Sequence, residues 1–411
     1  MKSTKKVTRF IALIMVMILC LFSIAGCSNT SSNNTGAGDD GSAQTAESSG
    51  NESGESADTS NDTADTAGGE KVKIGMIWYG NTDAMGGTFY SWANHAAEVL
   101  GVELVWKLGS FTTADELTDC ENLISAGCQG IYFVPMDTAA NLQLGNACKD
   151  AGVYWATSNR QIADADVLAA CEANPYFVAR VYDNSYDVCK EMVKVLADQG
   201  ITKVCMLSGD PTDAMMVDRT KGFEDGCKEY NVEILATSQL VSGDASANVD
   251  SVNNFLTLYP NVEAILAVSG TAGVGEAIIT ALEASGRETG SVKVAAFDTF
   301  EGNQKAFEDG WLAASCGGYT SECLVSLLAL ISRASGNSEA DAVMPLTLSP
   351  LLITSAEEME TFSQYVDNPD VQLYSDDIIK QLAGPGMGIE DYQKVLDDWS
   401  IEFVKQAVGI Q

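Results

Sequence analysis

Polar side chains that can form several hydrogen bonds follow the apolar segments of this 411-residue sequence. Asn159 and Arg160 follow VYWATS, Asp298 follows VKVAAF, and Arg219 lies in DRTKGF, beyond KVCMLSG. Guanidinium, amide and carboxylate groups can hold a polyhydroxylated or zwitterionic molecule through paired hydrogen bonds, and aromatic rings can stack on it. The segments to inspect for such a site are 79–89, 136–137, 159–160, 210–219, 269–271 and 298–299.

The segments that precede these residues alternate between strand and helix patterns. Strands are predicted at 73–80, 102–108, 130–135, 153–158, 203–209, 232–237, 264–270 and 292–298, with helices between them that include 89–100 and 219–230. Such alternation predicts βαβ units and parallel sheets. It occurs twice, since KIGMIW matches KVCMLS and LISAGCQGIYFVP matches LTLYPNVEAILAVS. We therefore predict an α/β fold with two tandem doubly wound parallel-sheet lobes, which bind ligand in the crevice at the carboxyl ends of their strands.

The pattern of residues 1–69 predicts that the protein is exported across the cell membrane. A basic head and an apolar run over 10–25, shorter than the ~20 residues of a spanning helix, predict a signal peptide over 1–26. Ile24-Ala25-Gly26-Cys27 resembles the bacterial lipobox, which implies that Cys27 is lipidated; an ordinary signal peptide or a short membrane anchor are the alternatives. Residues 27–69 predict a disordered acidic linker, because 28–69 contain no Leu, Ile, Val, aromatic or basic residue.

Composition excludes several classes of function. The net charge of −34 disfavours nucleic acid, whose binding needs a basic face. His95 is the single histidine, so zinc chemistry of the usual kind is disfavoured, and no calcium loop, nucleophile elbow or phosphate-binding loop occurs. We therefore predict no enzyme activity and no cofactor. The nine cysteines after residue 70 have no C-x-x-C spacing and are interpreted as small buried side chains.

Residues 71 to about 355 resemble the type I periplasmic-binding-protein family, in its ribose/galactose-binding branch of ABC-transporter receptors. The stretches that carry the resemblance are KIGMIW, ENLISAGCQGIYFVPMD, VYWATSNRQ, DRTKGFEDGCKEY, PNVEAILAVS, VKVAAFDT and PLLITSAEE. The repressors that share this fold begin with a DNA-binding headpiece, whereas a signal peptide is predicted at that position of this sequence.

The resemblance implies two lobes joined by a three-stranded hinge. The implied crossings lie near Tyr182-Asp183, Gly318 and 348–352. They divide the chain into an N-terminal lobe, 71–182 plus 319–347, a C-terminal lobe, 183–318 plus 348–365, and a helical extension, 366–411. The extension is expected to pack on a lobe, with a helix that docks on a partner as the alternative.

The resemblance also implies ligand-binding residues, each with a structural alternative. Phe89 and Tyr90 match the aromatic positions that stack on a sugar, or they pack within a helix. Asn159-Arg160 matches the position where the family often has an acidic residue followed by arginine, so the arginine is kept and the acid is replaced by an amide. The alternative is that both are solvated loop residues. Arg219 matches the ligand arginine of the second lobe, with a surface charge at a helix start as the alternative. Asp298 matches the carboxylate that accepts sugar hydroxyls, with a helix N-cap as the alternative. Ser269, with Gly270, stands where the family usually has Asn-Asp.

The function implied is that of an extracytoplasmic lipoprotein that captures a monosaccharide or sugar-like molecule and delivers it to the permease of an ABC importer. The expected protein is a monomer, held to the outer face of the cell membrane through Cys27 in the manner of Gram-positive bacteria. Asn159, Ser269 and Gly318 offer fewer polar groups than the family pattern, so nucleosides, sugar derivatives and signalling molecules stay open. A receptor that reports to a sensor kinase is the alternative function.

Overall fold

The computed structural model describes residues 71–338 and 342–410, and these form two six-stranded α/β layers. The predicted signal peptide, Cys27 and the linker lie outside the described residues. The strands are β1 (Lys73–Trp78), β2 (Glu103–Leu108), β3 (Gly130–Phe133), β4 (Tyr154–Ser158), β5 (Phe177–Asp183), β6 (Lys203–Ser208), β7 (Glu233–Gln239), β8 (Ala264–Ala267), β9 (Lys293–Ala296), β10 (Leu312–Gly317), β11 (Met344–Leu348) and β12 (Leu351–Ile353).

Fourteen helices are described around these strands. They are α1 (Ala84–Leu100), α2 (Thr113–Ser125), α3 (Ala140–Ala151), α4 (Ala165–Glu172), α5 (Ser185–Asp198), α6 (Ala214–Glu229), α7 (Ala245–Leu258), α8 (Val274–Ala284), α9 (Asn303–Glu308), α10 (Thr320–Ala334), α11 (Ala356–Tyr365), α12 (Asp376–Ala383), α13 (Ile389–Asp397) and α14 (Ile401–Val408). Within the described ranges, no helix is long and apolar enough to cross a membrane.

Both sheets are wound as the sequence predicts. The first has the order β11-β5-β4-β3-β1-β2 and is parallel throughout, and the second has the order β12-β10-β9-β8-β6-β7, with β12 alone antiparallel to its neighbour. Central strands such as β3 and β8 are buried on both faces, because helices cover each side, and they are therefore continuously apolar. The predicted α/β fold of two parallel-sheet lobes is confirmed.

Two helices begin five residues earlier than the sequence pattern predicts, and both begin at an aspartate. Asp83 accepts a hydrogen bond from the backbone N–H of Gly86 (2.9 Å) at the start of α1. Asp213 accepts from the N–H groups of Met215 (3.0 Å) and Met216 (3.3 Å) at the start of α6. These carboxylates satisfy N–H groups that have no partner within a helix. The caps therefore fix the residue at which each helix begins, next to the space between the sheets.

The chain passes between the two sheets at three places. β5 leads into α5, β10 leads into α10, and β11 leads into β12. Gly318, directly after β10, has a φ of 87°, a left-handed conformation that glycine adopts without strain. A Cβ atom there would also lie 3.0 Å from Leu351 and 3.2 Å from the indole nitrogen of Trp399. A larger residue at this crossing would therefore strain the backbone and push against its neighbours.

The extension after residue 365 packs against elements of both lobes rather than on one. The indole of Trp92 in α1 donates to the carbonyl of Val371 (2.6 Å), and the Gln393 amide both donates to and accepts from the backbone of Thr347 in β11. In the other lobe, Lys405 of α14 pairs with Glu357 of α11 (2.9 Å). The extension therefore adds a further link between the lobes, beside the three crossings.

An aromatic cluster from both α1 and the extension provides the main apolar contact. Its rings are those of Trp92, Tyr374, Trp399 and Phe403, with centroids 5.4 to 6.4 Å apart. Trp92 and Trp399 are 1% and 5% exposed, respectively. Rings buried in this way contribute apolar burial and favourable edge contacts.

Replacement of Trp399 by alanine should lower the free energy of unfolding by about 3–5 kcal/mol, because it removes the largest side chain that the extension packs at the crossings. Chemical denaturation of residues 70–411, followed by circular dichroism, measures this loss. Phe111→Ala is the matched control, since that ring is 57% exposed and its loss should change the stability by no more than about 0.5 kcal/mol. Equal losses in both variants would contradict the packing described for the extension.

Candidate functional site

A cavity of about 360 Å³ lies between the lobes at the carboxyl ends of their strands. Its lining comes from both lobes, from the crossings and from the extension: Met85, Asn159, Arg160, Asp183, Met215, Met216, Arg219, Ser269, Thr271, Asp298, Thr299, Gly317, Gly318, Tyr319 and Asp367. A second cavity of about 330 Å³ adjoins it and shares Asn159, Arg160 and Met215. Both volumes lie within the range of small-molecule sites.

Arg219, in α6, is a buried cation at the back of the cavity. It is 3% exposed, and its Nη1 lies 3.1 Å from a carboxylate oxygen of Asp298 and 3.2 Å from the carbonyl oxygen of Val268. Its Nη2 lies 3.6 Å from the carboxylate of Asp183, and its guanidinium lies 3.6 Å from the centroid of the Phe297 ring. Arg219 thus joins the end of the first crossing strand to the strand ends of the second lobe.

The charges around Arg219 compensate one another. Burial by itself lowers the pKa of Arg219, but the carboxylates, chiefly that of Asp298, raise it, and the net pKa is above its usual range. Burial raises the pKa of Asp183, and this rise is only partly offset by the charge of Arg219 and by a hydrogen bond from Ser185 (2.8 Å). Arg219, Asp183 and Asp298 therefore form a structural cluster of ion pairs, and the N–H groups of Arg219 bond mostly to groups of the protein itself.

Asp298 is held at the cavity by three donors. One carboxylate oxygen accepts from Arg219 and from the hydroxyl of Ser269 (3.1 Å), and the other accepts from the hydroxyl of Tyr319 (2.8 Å). The residue has a φ of 66°, a conformation that Asp tolerates better than most side chains. These contacts fix the carboxylate at the cavity wall, where the lone pairs that remain can accept from a ligand.

Asn159 and Arg160 form the opposite wall, directly after β4. Asn159 has a φ of 63° and donates from its amide to Glu322 (3.0 Å), a fully buried acid whose pKa is raised well above its usual range by burial and by the charge of Asp183. The guanidinium of Arg160 forms no hydrogen bond or ion pair with another described residue. Arg160 is therefore a cation in the cleft whose donors are available to a ligand.

The structure brings five of the seven predicted ligand residues together at the cavity: Asn159, Arg160, Arg219, Ser269 and Asp298. Of the predicted hinge residues, Asp183 and Gly318 line the same cavity, while Tyr182 is buried in the first lobe with the Arg180 guanidinium 5.3 Å from its ring centroid.

The structure does not support the prediction that Phe89 and Tyr90 contact a ligand. Phe89 is fully buried and its ring packs against Trp78 and Tyr132, while Tyr90 packs against Trp106. Neither lines the cavity: Met85, in the first turn of α1, does so, whereas Phe89 lies in the core and Tyr90 is half-buried against Trp106. The aromatic richness of the first lobe therefore serves packing, which was the structural alternative.

Asp367 is the residue at the cavity that the sequence patterns missed. It lies in the extension, just after α11, and forms no hydrogen bond or ion pair with another described residue. Burial, and then the charge of Asp83, raise the pKa of its carboxyl to about 6. No local signal points to this role, since its position depends on how the extension folds back. Within the described ranges, no group of three or more His, Cys, Asp or Glu residues is arranged to hold a metal ion.

Two α/β lobes with a polar cavity between them define the class of two-lobed solute-binding proteins. The chain matches the model of the periplasmic binding protein domain over residues 74–322, well over half its length. It belongs to this family, the type I periplasmic binding proteins.

Similar proteins support this assignment. The ribose import binding protein RbsB of Salmonella typhimurium is 26% identical over 226 residues, which cover 54% of this chain and 71% of the relative. Among solved structures, a periplasmic solute-binding protein of an ABC transporter from Actinobacillus succinogenes with bound D-allose has a TM-score of 0.59 at 18% identity, covering 71% of this chain and 99% of that one. One from Bacillus halodurans with bound myo-inositol has a TM-score of 0.54 at 20% identity, covering 72% and 99%.

Replacement of Arg219 by methionine should lower the free energy of unfolding by about 3–5 kcal/mol at pH 8, because Asp183 and Asp298, whose side chains are 8% and 14% exposed, would lose their cation. The loss should shrink at pH 5. The pKa of Asp183 is already raised, and without Arg219 it rises further, so the native variant binds a proton that the unfolded chain releases, and stability increases as pH falls. Denaturant unfolding at both pH values measures this.

The matched control for this prediction is Arg180→Met, which removes a partly exposed pair with Glu172 and should cost about 1 kcal/mol or less. A loss in the Arg219 variant that is equally small, or that is the same at both pH values, would contradict the role given to this ion pair.

Proposed function

We propose that this protein is an extracytoplasmic receptor that captures a small polyhydroxylated ligand, a monosaccharide or a sugar-like molecule, and delivers it to the permease of an ABC importer. The observation that carries the proposal is the cavity between the lobes, with fixed acceptors on one wall and the available guanidinium of Arg160 on the other. Family membership and the ligands bound by the similar proteins agree with it.

The mechanism we propose is closure of the lobes around the ligand. A molecule that contacts Arg160 in one lobe and Asp298 in the other gains both sets of contacts only in the closed state, so it favours that state by its differential affinity. The three crossings would serve as the hinge, with Asp183 and Gly318 at the points where the backbone turns. The closed form is then the species that docks on the permease.

The apolar part of the cavity favours a ligand without an extended aromatic ring. Met85, Met215 and Met216 line it, and Tyr319 is the aromatic residue at its wall, with its hydroxyl bound to Asp298. Methionine side chains are flexible and polarizable, so they adapt to the C–H faces of a pyranose, a furanose or a cyclitol. Hydroxyl-rich rings of this size match the mixture of polar and apolar groups.

Arg160→Ala should lower ligand affinity about 10- to 100-fold, because a charge-assisted hydrogen bond to the ligand is worth roughly 1.5–3 kcal/mol. Residues 70–411 would be screened by thermal shift against pentoses, hexoses, cyclitols, nucleosides and amino acids, and the ligands found would be measured by calorimetry. A ligand at large excess over its Kd should raise the melting temperature visibly.

The matched control is Arg287→Ala, which removes a guanidinium that lies outside the cavity and donates to the carbonyl of Leu256. It should leave affinity unchanged. Binding of nucleosides alone would overturn the sugar-like assignment, and no binding across the panel would favour a receptor that signals through a partner protein. Binding that Arg160→Ala leaves intact would contradict the placement of the site.

The membrane attachment we propose rests on sequence. Cys27→Ala should abolish incorporation of labelled fatty acid, since the resemblance to the lipobox places the lipid on this cysteine. Radiolabelled palmitate incorporation in a bacterial host measures this, with Cys20→Ala as the control because that residue lies within the signal peptide. Label retained in the Cys27 variant would contradict lipidation at this residue.

A further inference from the structure

The C-terminal extension brings a carboxyl group into the cavity that neither lobe supplies. Five charged side chains line the cavity of about 360 Å³, and two of them, Asp183 and Asp298, form ion pairs with a third, Arg219. The side chains of Arg160 and Asp367 form no hydrogen bond or ion pair with another described residue. The charged groups left for a ligand are therefore one guanidinium from the first lobe and one carboxyl from the extension.

The backbone on either side of Asp367 is held firmly. Before it, Val366 is fully buried and its N–H donates to the carbonyl of Phe362 (2.8 Å). After it, the carbonyl of Pro369 accepts from the hydroxyl of Ser91 (2.6 Å), and that of Val371 accepts from the indole of Trp92. Because both flanks are anchored, the carboxyl is pre-organised at the cavity wall rather than carried on a loose tail.

The surroundings of Asp367 favour a positively charged partner. The charge of Asp83, which caps α1 outside the cavity lining and accepts from the hydroxyl of Tyr79, raises the pKa of Asp367, so the electrostatic potential at Asp367 is negative. A hydroxyl group placed here gains one hydrogen bond to the carboxyl. An ammonium group gains the hydrogen bond and the attraction of both carboxylates, which is stronger in a partly buried site than in water.

We propose that Asp367 is a specificity-determining residue that contacts the ligand and selects an amino-substituted polyol, such as an aminosugar or an aminocyclitol. The amino group would lie at Asp367, and the hydroxyl groups would reach Arg160 and Asp298. This inference rests on the proposed function, since it names the ligand class of the same cavity. It also gives the extension a part in recognition.

Calorimetry on the full chain, purified in detergent, tests the proposal with matched ligand pairs at pH 7.5. The pairs are D-glucosamine and D-glucose, D-galactosamine and D-galactose, and an aminocyclitol with the corresponding inositol. The wild-type protein should bind at least one amino member about 10-fold or more tightly than its hydroxyl partner. Asp367→Asn keeps the shape of the side chain and removes its charge, so it should abolish this preference while the affinity for the hydroxyl member changes by less than about threefold.

The control variant is Asp370→Asn, which changes an exposed carboxylate of the same segment and should keep the preference. Circular dichroism and the melting temperature establish that each variant is folded. Binding of neutral polyols without any preference for their amino partners would overturn this inference and leave the receptor assignment intact. A preference that survives Asp367→Asn would also overturn it. Failure of every pair member to bind would overturn this inference, whereas the receptor assignment fails only if the wider panel of pentoses, hexoses and cyclitols is silent as well.

Discussion

The guanidinium of Arg219 is the interaction on which the rest of the site depends. It is buried between Asp183, at the end of the first crossing strand, and Asp298, after β9, and it also binds the carbonyl at the end of β8. A buried cation is tolerated only when its donors and its charge are matched, and here three separate chain segments supply the match. The strand ends of the second lobe are thereby fixed relative to the crossing, which gives the cavity a defined wall.

This arrangement separates structural charges from those available for recognition. The guanidinium N–H groups of Arg219 form hydrogen bonds within the protein. Those of Arg160, on the facing lobe, form none with another described residue and are available to a ligand. The sequence predicts both arginines at the ligand and does not distinguish them. The distinction depends on Asp183, Ser185 and Asp298, which come together only where the first crossing meets the second lobe.

Much of the architecture was predictable because parallel sheets impose a simple rule. Buried strands must be apolar, and their carboxyl ends meet at one edge, so polar residues such as Asn159, Ser269 and Asp298 could be assigned to one cleft. The prediction for Phe89 and Tyr90 was wrong because the cap at Asp83 places the first turn of α1, with Met85, at the cavity, while Phe89 packs in the core and Tyr90 packs on Trp106. Asp367 could not be predicted, since its place depends on the long-range packing of Trp399 and Tyr374 against α1.

Hydrogen–deuterium exchange with and without the tightest polyol tests most directly the claim that the lobes close on a ligand in this cavity. Closure on a ligand should slow exchange on both walls at once, in 159–161 and 212–216, and in 366–371 of the extension, because ligand contacts and lobe closure suppress local opening there. Protection confined to one lobe, or located away from these segments, would contradict the account.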